Sequence, residues 1–127
     1  MKKLILLAAA AVSALVFAAC RFDDPSAVIP PDLNTPEVAS ISLDQAKKTI
    51  KDAFTYVPAG RRPSVPDWEV LGRGVSAVRL RDHQRTGYVL VEVMYGPKVA
   101  IRFYAVNKAA ADKFVKAVWR IKKEYSK

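Results

Sequence analysis

The sequence predicts an α+β domain, in which an antiparallel three- to four-stranded meander carries an N-terminal and a C-terminal helix on one face. Apolar residues recur at helical spacing near residue 45 and again after residue 107. Between these regions apolar and polar residues alternate, a period typical of strands with one buried face. The predicted order is therefore α-β-β-β-α, and both helices cover the same side of the sheet in the simplest packing.

The first helix is predicted over residues 43–56. Ser42 can cap this helix, and Gln45 follows at the spacing that completes a capping box. Prolines and a glycine then end the helix and predict a rigid loop over residues 58–67. The apolar residues at helical spacing are Leu43, Ala46, Ile50, Ala53, Phe54 and Val57.

The strands begin, on this prediction, at Trp68. Residues 68–71 and 75–81 are assigned to strand. The Gly72-Arg73-Gly74 stretch between them is interpreted as a bulge or a tight bend, because glycine inside a strand pattern often marks one.

The clearest strand is residues 87–95, which follow a polar turn over residues 82–86. Gly96-Pro97 then suits a two-residue type II′ hairpin, with glycine at the position that needs a positive φ. Val99, Ile101 and Phe103 continue the apolar alternation in the last strand and are expected to face the helices.

A closing helix is predicted over residues 108–125. Asn107 is a favourable N-cap residue. Lysines near the end suit the negative end of the helix dipole. The apolar stripe consists of Ala110, Phe114, Ala117, Val118, Ile121 and Tyr125.

The first 19 residues have the parts of a secretory signal peptide. Lys2 and Lys3 precede an apolar run over residues 4–19, whose 16 residues fall short of the ~20 needed to span a bilayer. The alternative is a buried N-terminal helix of a cytosolic protein, but the run shows no amphipathic stripe.

The signal ends in Phe17-Ala18-Ala19-Cys20, which resembles a bacterial lipobox. The resemblance implies that Cys20 carries a lipid and becomes the first residue after cleavage, although Phe17 stands where the pattern prefers leucine. Two or three acyl chains would hold the protein firmly on a membrane. Ordinary signal cleavage after Ala18, with a soluble periplasmic or secreted product, is the alternative.

The predicted localisation is the outer membrane, facing the periplasm. Arg21 follows the cysteine where the resemblance to enterobacterial lipoproteins would place an aspartate for inner-membrane retention. Residues 20–41 contain four prolines and no sustained apolar period, so they are interpreted as the lipidated cysteine and an extended tether. The small α+β domain then occupies residues 42–127.

The segments "VLVEVMYG" and "VAIRFY" and the closing helix with Trp119 resemble a group of small bacterial lipoproteins of uncharacterised function. The similarity covers about residues 42–125, and it implies an α-β-β-β-α domain after a lipobox. It brings no known catalytic residues.

The positive charge suits anionic partners, and the alternative is that the extra lysines only keep a small domain soluble. The 127 residues carry a net charge of +9, and loss of Lys2 and Lys3 with the signal would leave +7. The membrane, reached through acylated Cys20, and an envelope protein or anionic envelope component are therefore the expected partners. Nucleic acid is not expected for an exported protein, and the oligomeric state is not predicted.

No catalytic set, metal site or cofactor is predicted. Gly72 to Ala77 match G-x-G-x-x-A, but strand-like alternation follows where a dinucleotide site requires a helix. His83 is the only histidine, whereas a zinc site needs three or four clustered ligands. The carboxylates are dispersed along the chain.

The side of the sheet turned away from the helices is the candidate binding surface. If Val78, Val91 and Ile101 face the helices, their neighbours in each strand face outward. Tyrosine and arginine are favoured at interfaces, so this side suits a partner or self-association surface, and the alternative is an ordinary amphipathic outer face. The candidate residues are Arg79, Arg81, Tyr88, Met94, Arg102 and Tyr104.

Two functions are consistent with these patterns. The first is a lipid-anchored, non-enzymatic envelope protein that binds a partner. The alternative is a small periplasmic hydrolase or carbohydrate-active enzyme with a site near residues 58–67 and His83, which would need convergent polar groups in a cleft.

Overall fold

The structure is a computed structural model that describes residues 27–83 and 85–126. The predicted signal peptide, Cys20 and the first part of the tether lie outside the described residues. The elements in chain order are β1 (Ala27–Ile29), α1 (Pro36–Ala39), α2 (Leu43–Thr55), a 3₁₀ turn (Ala59–Arg61), α3 (Trp68–Gly74), β2 (Ala77–Asp82), β3 (Val89–Tyr95), β4 (Lys98–Ala105) and α4 (Lys108–Tyr125). The predicted α+β class, with helices before and after an antiparallel sheet, is confirmed.

The four strands form one antiparallel sheet in the order β1-β2-β3-β4. Each strand therefore pairs with its neighbour in the chain, as a meander requires. Tyr95 pairs with Lys98 across the β3–β4 hairpin, and Gly96 adopts a φ of 62° between them. The two-residue turn with a positive φ at its glycine is as the sequence predicted.

Helix α4 is the centre of the helical layer, because α2 and α3 pack on it and it contacts the three longer strands. Asn107 caps α4 by accepting a hydrogen bond from the amide of Ala110. The rings of Phe54, Phe103 and Phe114 form the centre of the contact between α2, β4 and α4, with centroids 5.3 Å and 4.8 Å from Phe103. The fold therefore has one core, between the helices and one face of the sheet.

The assignment of residues 68–71 to strand is wrong, because they begin helix α3. Asp67 caps this helix by accepting from the amide of Val70, and strand β2 starts only at Ala77. A Cβ atom on Gly72 would lie 2.8 Å from Cβ of Tyr125, so this glycine permits a close approach of α3 to α4 rather than a bulge in a strand.

The interpretation of residues 20–41 as an extended tether does not hold from Ala27 onward. Strand β1 pairs with β2, and Thr35 caps the short helix α1. Val38, on α1, is only 1% exposed in the core. The sequence pattern did not reveal these two elements, because β1 has only three residues and α1 buries only one residue, Val38. Neither is enough to produce a period in the sequence.

The expectation that Val99 faces the helices is also wrong. Val93 pairs with Ile101 but Met94 pairs with Val99, so Ala100 is an extra residue in β4. Such a bulge shifts the alternation by one residue. Val99 consequently lies on the same side as Met94, away from the core.

Candidate functional site

The outer face is the side of the sheet turned away from the helical layer. It presents all six candidate residues, Arg79, Arg81, Tyr88, Met94, Arg102 and Tyr104, together with Val28, Leu90, Glu92 and Val99. No helix in the described part of the chain packs on it. Val28, Tyr88 and Tyr104 are 61%, 47% and 48% exposed, so large apolar groups remain open to solvent.

Cross-strand pairing arranges these side chains in rows. Arg79, Glu92 and Arg102 lie directly opposite one another on β2, β3 and β4. Opposed residues on one face have Cβ atoms close enough for their side chains to interact. The sequence predicted that these three residues share a face, and the register places them side by side.

Glu92 is the buried carboxylate of the outer face, with 2% of the residue exposed. Nε of Arg79 donates to its Oε1 at 2.7 Å. Nε and Nη2 of Arg102 both donate to its Oε2, at 2.8 Å and 2.6 Å. The arginine stems and the neighbouring strands exclude water, so a residue on an open face is buried without entering the core.

Glu92 remains ionised in this arrangement. Burial alone raises the pKa of its carboxyl group, but the hydrogen bonds and positive charges of Arg79 and Arg102 outweigh burial and hold the pKa below its ordinary value. The three side chains carry a net charge of +1. Glu92 thus holds two guanidinium groups in fixed positions on the outer face.

A groove lies between the outer face, at β4, and the loop that follows α2. Its volume is about 430 Å³, and its walls include three exposed tyrosines and two arginines. No carboxylate lies among its described lining residues. They are Tyr56, Val57, Pro58, Arg61, Tyr88, Arg102, Phe103, Tyr104 and Val106.

Arg62 shapes the loop wall of this groove. Its guanidinium donates to the carbonyl oxygen of Val57 from Nε and Nη2, at 3.2 Å and 3.0 Å, and to that of Thr55 from Nη2 at 3.1 Å. These oxygens belong to the end of α2 and the residues after it, where carbonyl groups lack helical partners. The bonds hold Pro58 and Arg61 beside the sheet.

His83 does not join the groove. It lies exposed in the β2–β3 connection, where Nδ1 is 3.0 Å from Oγ1 of Thr86. Pro58 and Arg61, from the loop of the hydrolase alternative, do line the groove, but His83 is not among its walls. In residues 27–83 and 85–126 no group of three or more histidine, cysteine or acidic residues is placed to hold a metal ion.

Sequence reasoning missed two parts of the site. It placed Glu92 on the outer face but assigned it no role, although a lone acid in an otherwise apolar strand was an available signal. It also left out Tyr56, and it included Arg61 only within the loop of the hydrolase alternative, because the place of both residues beside β4 depends on how the loop after α2 folds back.

Comparison with known proteins adds no family to this description. A scan against protein-family models and searches of curated proteins and solved structures found no match. Within the described residues, no helix is both long enough and apolar enough to cross a membrane.

Proposed function

We propose that the chain is a lipid-anchored protein of the bacterial cell envelope whose α+β domain binds a partner through the outer face. The observation that carries the proposal is the open outer face itself, with guanidinium groups ordered by Glu92 and exposed tyrosines beside them. The anchor rests on the sequence pattern that ends at Cys20.

The ordered arginines favour binding for an energetic reason. A free arginine loses side-chain entropy when a partner immobilises it, and this loss weakens association. Arg79 and Arg102 are already held by Glu92, so a partner that contacts them immobilises less. Arginine and tyrosine are also the residue types that contribute most at protein interfaces.

The chemistry of the groove supports binding over hydrolysis. Its described walls offer tyrosine hydroxyls and guanidinium groups, but no carboxylate, histidine, cysteine or serine. A small periplasmic hydrolase or carbohydrate-active enzyme needs a nucleophile or a general base within hydrogen-bond reach of its substrate. The loop of residues 58–67 contributes Pro58 and Arg61 instead.

Site-specific photo-crosslinking in living cells tests the partner surface. A benzophenone amino acid replaces Tyr88 or Tyr104 on the outer face, and in control proteins Val65 or Val70, which are exposed elsewhere at 52% and 56%. We expect discrete adducts from positions 88 and 104 and none from positions 65 and 70. Equal adducts at all four positions, or none at any, would contradict the proposal.

Intact-mass measurement of the detergent-extracted protein tests the anchor separately. We expect a species that begins at Cys20 and carries the added mass of acyl chains, together with loss of membrane association in Cys20→Ala. A mature species without added mass would show that the chain is not a lipoprotein.

A further inference from the structure

Strand β4 is an open edge of the sheet and runs beside the groove. In the described chain it pairs with β3 alone, because the strand order ends with it. A second cavity, of about 220 Å³, lies between β4 and the side of α2, and shares Tyr56, Phe103, Tyr104 and Val106 with the first. The two cavities therefore adjoin each other along the second half of β4.

The two halves of β4 differ as sites for a further strand. Lys98 and the bulge at Ala100 occupy the first half, and both features discourage pairing at a sheet edge. Residues 101–105 pair regularly with β3, and residues 102–105 border the two cavities. At ~3.3 Å per residue this half offers an edge of roughly 17 Å.

The two sides of such an added strand would meet different surroundings. Toward the outer face lie Arg102 and Tyr104, with Arg61 across the groove. Toward the helices lie the apolar groups of Ala53, Phe103 and Ala110. Thr49, Asp52 and Lys113 also line this side, and the carboxylate of Asp52 is paired with Lys48 at 2.6 Å. Because side chains alternate between the two sides of a strand, the surroundings select acidic residues at every second position and small apolar residues between them.

We propose that the groove along β4 binds an extended acidic segment of another protein as a fifth strand. This inference rests on the proposed binding function and names its partner class. Charge complementarity favours this occupant over a second copy of the chain. The chain carries +9, or +7 once Lys2 and Lys3 are removed with the signal, and two copies would bring Arg102 and Arg61 of each toward the other. The open backbone edge favours a peptide over an anionic lipid or glycan, which cannot continue the ladder of hydrogen bonds.

Peptide binding to the full chain, purified in detergent, tests the inference by fluorescence anisotropy. The probe is a labelled octapeptide of alternating valine and glutamate. One control peptide replaces glutamate with lysine, and another keeps the charges but carries N-methyl groups on alternate residues. We expect binding of the first peptide only, since the lysine peptide is repelled and the N-methylated peptide cannot donate to β4.

Two charge reversals localise the binding. Arg61→Glu changes an exposed groove residue whose side chain has no hydrogen-bond partner in the described structure, whereas Lys51→Glu makes the same change on the exposed side of α2. We expect the Kd to be at least ~10-fold larger for Arg61→Glu and to change at most ~2-fold for Lys51→Glu. The reason is that the energy of interaction between two charges decreases with the distance between them. Amide hydrogen exchange should slow in residues 101–106 when the acidic peptide is bound.

Several results would overturn the inference. They are equal binding of the N-methylated or lysine peptide, equal effects of the two reversals, or no binding of the acidic peptide at all. Displacement of the peptide by phosphatidylglycerol vesicles would identify the groove as a lipid site, and dimerisation that blocks the peptide would identify a second copy as the occupant. Crosslinks from positions 88 and 104 without peptide binding would leave the proposed function standing and remove only this inference.

Discussion

Arg79 and Glu92 lie opposite each other on adjacent strands, and Nε of Arg79 donates to Oε1 of Glu92 at 2.7 Å. Arg102 completes the arrangement from the other side through Oε2. A buried carboxylate of this kind is stable only while its partners remain, because desolvation of an unpaired charge is costly. Arg79 and Arg102 therefore keep the buried carboxylate from destabilising the domain.

The dependence of Glu92 on its partners predicts a non-additive series of variants. The double variant Arg79→Met/Arg102→Met leaves a buried carboxylate without cations, and we expect it to lower the free energy of unfolding by about 3 kcal/mol. Adding Glu92→Met should restore stability to within ~1 kcal/mol of the natural chain, because no buried charge remains. Urea unfolding followed by circular dichroism measures both, and a triple variant no more stable than the double variant would contradict this account.

The lowered pKa of Glu92 predicts that acid decreases the contribution of this residue to the free energy of unfolding. Its folded-state pKa lies below the unfolded-state value near 4.5, so its stabilisation is complete above that value and is lost as the pH falls through the folded-state pKa. The difference in unfolding free energy between the natural chain and Glu92→Gln should therefore shrink below about pH 4.5. Urea titrations at a series of pH values measure this difference, and a constant difference from pH 7 to pH 3 would rule the explanation out.

The close approach of α3 to α4 predicts that Gly72 does not tolerate alanine. The added Cβ would lie 2.8 Å from Cβ of Tyr125 and 2.9 Å from the carbonyl oxygen of Ile121. We expect Gly72→Ala to lower stability by about 2 kcal/mol, although alanine is the better helix former. Gly60→Ala is the control, because a Cβ there meets nothing within 4 Å, and its effect should stay within ~0.5 kcal/mol. Equal melting temperatures for the two variants would show that the helices can separate without cost.

The packing of α1 predicts that the domain extends before residue 42. Val38→Ala removes two buried methyl groups from a residue that is 1% exposed, and should lower the free energy of unfolding by about 1–3 kcal/mol. Val28→Ala, in β1 and 61% exposed, is the matched change on the surface and should have a much smaller effect. If the two changes were equally mild in thermal melts, the segment before Ser42 would not be part of the packed unit.

The elements that the sequence predicted well have strong local signals. Ser42 and Gln45 form the capping box in the structure, and Asn107 caps α4. The Gly96-Pro97 hairpin is also local, since its geometry depends on two adjacent residues. Asp67 is a cap of the same kind before residues 68–71, but the seven residues of α3 are too few to show a 3.6-residue period against the alternation that follows.

The sequence could predict which side of the sheet each candidate residue faces, but not which residues contact each other there. Alternation along each strand placed Arg79, Glu92 and Arg102 on one side of the sheet. Their ion pairs depend on register, which two turns and the bulge at Ala100 set together. No pattern predicted that Tyr56 and Arg61 lie beside β4, because Arg62 and its carbonyl partners position the loop after α2.

The sequence by itself determined the fold class, helices α2 and α4, the hairpin and the six candidate residues of the outer face, because each follows from spacing or from neighbours in the chain. Only the tertiary structure decided that Glu92 is buried beneath its arginines, that Gly72 lies against Tyr125, and that the groove opens along β4. These features join residues distant in sequence, and their energies arise from desolvation and close packing, which exist only once the strands and helices are assembled.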